Sequence, residues 1–131
     1  MIFYSRLIIS KKLLAEEFKQ LDGGANQAYI KDGLPNIVFM QYQEDGKEYF
    51  TTLDKEDYSK IKDVEWEGFN EYVVMKKNHR KYLHRELCRG LEDGQEVHHK
   101  NHRFDNRSSE LVPVYRIDHT RQRTYYGDVV F

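Results

Sequence analysis

The stretch Val97-His98-His99-Lys100-Asn101-His102-Arg103-Phe104-Asp105-Asn106-Arg107 decides how this chain is read. The turn signal Asp93-Gly94 leads into a strand over Glu96-Val97-His98-His99. Leu111 to Val114 reads as a second short strand, with Pro113 placing it at an edge. Arg116 to about Arg123 reads as a helix and carries His119. The order from residue 96 onward is therefore strand, loop, strand, helix. Adjacent side chains on a strand point to opposite faces, so His98 and His99 cannot do the same job. One can ligate a metal while the other faces a substrate, and His119 can fold back toward the same metal. A metal held by two protein ligands keeps positions open for water and a phosphate oxygen, which marks a catalytic site rather than a closed structural one.

The rest of the chain sets the context. Its 131 residues suit one compact domain, or a small domain with an appendage. Cys88 is the single cysteine, so no internal disulfide forms and a reducing compartment is expected. The apolar opening Met1-Ile2-Phe3-Tyr4 is broken by Ser5 and Arg6 and is far too short to span a membrane. A soluble, cytoplasmic protein without a membrane partner is expected. Net charge is −1, but its distribution is uneven. Residues 1–75 hold 9 Lys/Arg against 14 Asp/Glu, whereas residues 76–131 hold 12 against 8, together with all 6 histidines. A basic, histidine-rich second half fits a polyanionic partner.

Upstream, Ser10 can cap a helix over residues 11–21, with Leu14, Phe18 and Leu21 on one face and Gly23-Gly24 at its end. Ile37 to Met40 reads as a buried strand, Asp45-Gly46 as a hairpin turn and Tyr49 to Leu53 as the returning strand. Asp54 is placed as the cap of a short helix bearing Tyr58 and Ile61. Trp66 and Phe69 are expected core anchors. Tyr72 to Met75 and Lys81 to Leu83 read as strands joined by a turn over Lys77-Asn78-His79-Arg80. Lys76-Lys77 and Arg80-Lys81 are either a solvated turn or a contact to a DNA backbone. His84 to Arg89 forms one or two helical turns, stopped by Gly90.

The segment resembles the HNH endonuclease family, in its phage-type and homing-type branches. The matching elements are Leu83-His84-Arg85, Val97-His98-His99-Lys100-Asn101, Asp105-Asn106-Arg107, Glu110-Leu111 and His119. The resemblance implies an α+β fold with a ββα-metal (His-Me finger) nuclease core at 82–123, inside a nuclease domain at 53–124. Residues 1–52 would be a mixed α/β extension that supports the core, sets DNA register or mediates homodimer formation, and 125–131 a tail. It implies a metal-dependent DNA endonuclease acting on double-stranded DNA, phage-encoded in a bacterial host. His99 would be the general base, and His98 and His119 the metal ligands. Asn101, Asp105 and Asn106 would shape the loop. Arg85, Arg103 and Arg107 would grip phosphates, with Arg121 and Arg123 as further nucleic-acid contacts or plain helix surface.

Four departures qualify the expectation. His98 stands where the phage-type branch commonly has Asp, so the site is softer and Ni or Zn join Mg or Mn as candidate ions. Glu110 replaces a structural Asn and must either shape the loop or act as a third metal ligand. The loop is one residue shorter than usual, and Tyr115 stands where a Thr helix cap is common. The competing expectation is a DNA-binding module that has lost turnover.

Overall fold

The computed structural model describes residues 7–115. His119, Arg121, Arg123, the expected helix over Arg116 to Arg123 and the C-terminal tail lie outside them. Ser10 caps α1 (Lys11–Glu17) by accepting the Leu13 backbone N–H at 3.2 Å. The helix stops earlier than its apolar spacing predicts. Phe18 turns into extended backbone, and β1 (Phe18–Leu21) pairs with β2 (Ala28–Lys31). The Phe18 ring meets Phe39 edge-on at 5.1 Å, so tertiary packing overrides the helical period here.

A four-stranded antiparallel sheet continues through β3 (Leu34–Glu44) and β4 (Lys47–Asp54). Asp45 and Gly46 connect them with φ of 52° and 78°, the left-handed pair that a two-residue hairpin with the right twist requires. After α2 (Lys55–Ile61), a second sheet forms from β5 (Trp66–Phe69), β6 (Tyr72–Met75) and β7 (Asn78–Tyr82). The residues expected as a turn, Asn78 to Arg80, belong to β7, and the turn itself is Lys76-Lys77. Trp66 is buried in the core, but Phe69 is 41% exposed. Side-chain alternation along β5 puts the two on different faces, and Phe69 packs on the His79 ring instead. After α3 (Leu83–Leu87), β8 (Gln95–His99) and β9 (Leu111–Tyr115) form a two-stranded antiparallel ribbon.

The expected α+β class with a ββα-metal core is therefore corrected. The described residues form three antiparallel sheets with three short α-helices, a β-dominated protein rather than a ββα-metal nuclease core. The physical reason lies in the N-terminal two thirds. Tight left-handed turns and alternating β-branched and aromatic residues outweigh the helical signals, which survive only as helices of five to seven residues. One core joins the sheets: Val38, Met40 and Leu53 of the first, Trp66 and Val73 of the second, and Leu83, Leu87 and Leu111 around the ribbon. Strand β4 runs through Lys47–Asp54, and the buried cluster draws on residues both before and after it. Among the described residues no helix is long and apolar enough to cross a membrane.

Candidate functional site

His99 ends β8 opposite Leu111, and His98 sits one residue earlier opposite Val112. Alternation sends the two imidazoles to opposite faces of the ribbon. Beyond His99 the loop is closed at its base, where the Lys100 backbone N–H donates to the Glu110 carbonyl at 2.9 Å. Its far end is held by β4, the edge strand of the first sheet. Thr52 donates its N–H to Phe104 O at 3.0 Å and accepts from Asn106 N at 2.7 Å, a short parallel bridge between segments some fifty residues apart. Asp54 departs from its expected role. Its carboxylate makes no helix-cap bond and instead accepts from the Ser108 N–H and hydroxyl at 2.9 and 2.7 Å. The loop is thus built on the outer edge of the sheet, which Leu7 also bridges at Phe50.

A buried hydrogen-bond chain runs from this edge to His99. The Thr51 hydroxyl donates to Phe104 O at 2.6 Å, so it can only accept from the Asn106 amide, whose Nδ2 lies 2.8 Å away. The amide orientation follows: Asn106 Oδ1 faces His99 Nε2 at 3.0 Å and must accept a proton from it. Asn106 is only 1% exposed, so this geometry is enclosed. His99 therefore carries its hydrogen on Nε2, and Nδ1 is left as the basic nitrogen.

Aromatic rings wall His99 on another side. His84 of α3 meets it edge-on with centroids 5.0 Å apart, and Tyr72 and Tyr82 flank His84 at 5.2 and 5.1 Å. Burial pushes the His84 imidazole down to about 3, with the neighbouring His99 and Arg85 charges adding to it. Burial likewise lowers His99. The bond to Asn106 works in the opposite direction, and the charges of His98 and Arg103 reinforce the lowering. Both rings are neutral at neutral pH, and a neutral His99 is the form able to accept a proton.

The arginines differ in how free they are. Arg107 closes bidentately on Asp105, Nε to Oδ1 at 2.9 Å and Nη2 to Oδ2 at 2.6 Å, so its fork is already filled within the loop. Arg85 reaches the Gln95 carbonyl at 3.0 Å and ties α3 to β8. Arg103 lies over the Tyr72 ring at 4.8 Å and pairs with Glu71 at 3.2 Å across the surface. His102 stacks on Phe104 at 4.9 Å and packs the loop. Asn101 donates to the Glu110 carboxylate across the base of the loop. Glu110→Gln keeps an acceptor for Asn101, so it is expected to hold DNA nicking within a few-fold of the parent. A loss of activity restored by raised metal concentration would instead make Glu110 a metal ligand.

The Asp105–Arg107 pair has a pH consequence. Burial alone would raise the Asp105 carboxyl, but hydrogen bonds from Arg107 and Thr52 and the Arg107 charge outweigh it and hold it below the usual range. A carboxyl lowered on folding stabilises the protein fully above its unfolded value and loses that contribution as pH falls through the folded one. Asp105→Asn is expected to flatten the acid side of the stability profile below about pH 4, read as urea midpoints across a pH series. An unchanged acid limb would count against the pair.

Among the described residues, no three His, Cys, Asp or Glu side chains gather as a metal-holding group. His98 is the one described member of the expected metal pair, so the described donors do not complete a metal site. Sequence reasoning missed Thr51, Thr52 and Tyr72 as parts of this site. They lie far from the motif in the chain, and nothing in their local sequence marks them. No protein-family model, no curated protein and no solved structure matches this chain.

Proposed function

We propose that this chain is a metal-dependent endonuclease that hydrolyses phosphodiester bonds of double-stranded DNA, with His99 as general base. Membership of the HNH endonuclease family is part of this proposal and rests on the motif residues, not on the fold class. The observation that carries it is the Thr51–Asn106–His99 chain, which orients a neutral imidazole and leaves Nδ1 basic. Nδ1 takes a proton from water, the resulting hydroxide adds to phosphorus, and the bond to the leaving 3′ oxygen breaks. General-base catalysis of this kind contributes about 10²- to 10⁴-fold. Arg103, exposed beside the site, and the basic second half of the chain supply attraction for the phosphate backbone. A divalent ion, Mg or Mn ahead of Ni or Zn, is proposed to be held by His98 and His119 and to neutralise charge on the phosphate when bound. The single cysteine and a DNA substrate fit a reducing, intracellular setting.

Supercoiled plasmid incubated with the protein and each metal in turn, with EDTA as control, tests the reading. Nicked or linear product is expected with metal only. Binding without any cleavage would instead favour a DNA-binding module that has lost turnover.

A further inference from the structure

Between the pairs Met75↔Asn78 and Val74↔Tyr82, strand β7 carries three residues, His79, Arg80 and Lys81, that have no counterpart in β6. This large bulge pushes them out of the ladder, as bulges beside functional sites do to re-aim side chains. Lys77 in the preceding turn, Arg80 and Lys81 are all exposed. Neighbouring acids are already engaged, Glu65 by Lys76 and Glu67 by His79. Among the described residues Lys77, Arg80 and Lys81 have no acidic partner. β7 is also an edge strand. The bulge runs directly into Tyr82, whose ring touches His84, which in turn touches His99. Uncompensated cations on an out-turned edge, one ring away from the wall of the site, match a polyanion that extends past the reacting phosphate.

We propose that Lys77, Arg80 and Lys81 form a sequence-independent contact to the backbone of duplex DNA flanking the phosphate at His99. This inference rests on the DNA reading of the site and supplies the surface that holds the duplex beside it. Three exposed cations on one strip suit contacts to phosphates rather than readout of base edges.

The test is a salt titration of binding to a labelled oligonucleotide duplex, with the full chain in EDTA to prevent cleavage. Each lost phosphate contact lowers the slope of log K against log salt by about 0.9. The triple variant Lys77→Gln/Arg80→Gln/Lys81→Gln is expected to lower the slope by about two to three. A matched triple, Lys11→Gln/Lys12→Gln/Lys47→Gln, removes three exposed cations elsewhere and is expected to leave the slope near the parent's. Equal slopes for the bulge variant and the parent would overturn the inference, as would an equal fall in the matched control. A parent chain that does not bind duplex DNA even at low salt would overturn the DNA reading as well, so the two failures are distinguishable.

Discussion

His99→Ala is expected to lower plasmid nicking by at least about 10²-fold, the low end of what a positioned base contributes. Binding to duplex DNA should change little, because the imidazole is neutral and half-buried behind the loop rather than part of the exposed basic surface. The informative readout is this split between turnover and binding. A variant that nicks as fast as the parent would remove His99 as the base. A variant that loses both in proportion, with an altered thermal melt, would point to loop collapse instead. His84→Ala offers a contrast: its ring touches His99 but has no hydrogen bond to it, so a smaller loss is expected.

Asn106→Ala is expected to cost both stability and activity. It removes a side chain 1% exposed and leaves the half-buried His99 Nε2–H without its acceptor, while the Thr51 hydroxyl keeps its bond to Phe104 O and loses only the amide it accepts from. Leaving buried polar groups unpaired costs about 1–3 kcal/mol. Activity should fall on the order of 10²-fold, the effect of letting a reacting group drift by about an ångström. Thr51→Val keeps the His99–Asn106 bond while removing the amide's outer anchor. Its stability loss should be comparable and its activity loss smaller. Denaturant melts paired with nicking rates separate the two terms. If Asn106→Ala kept full activity in a folded protein, the amide would not be what positions His99.

Local signals explain which parts were readable along the chain. The Asp45-Gly46 turn, the Ser10 cap and the strands β8 and β9 follow from neighbours within a few residues, and all are present. The placement of His98 and His99 on opposite faces of β8 also needs only the two-residue period of a strand. Phe18, Phe69 and Asp54 are the instructive failures. A helical apolar spacing placed Phe18 on α1, yet the ring of Phe39 draws it into β1. Phe69 shares its strand with Trp66 but not its face. Asp54 has the composition and position of a helix cap, yet it is spent on Ser108, fifty-four residues later.

By itself the sequence determined the chemistry on offer: two adjacent imidazoles, a loop of amides and guanidiniums, and a basic second half. It did so because residue type and strand alternation are local properties. Only the tertiary structure decided that antiparallel sheets dominate and that an edge strand carries the His99 loop. It also decided that Asn106 sets the His99 tautomer, that Asp105 occupies Arg107, and that a bulge turns Arg80 and Lys81 outward. Each of those depends on backbone groups brought together from distant parts of the chain. Their pairing is set by which sheet edge is left open, and no pattern within either segment carries that information.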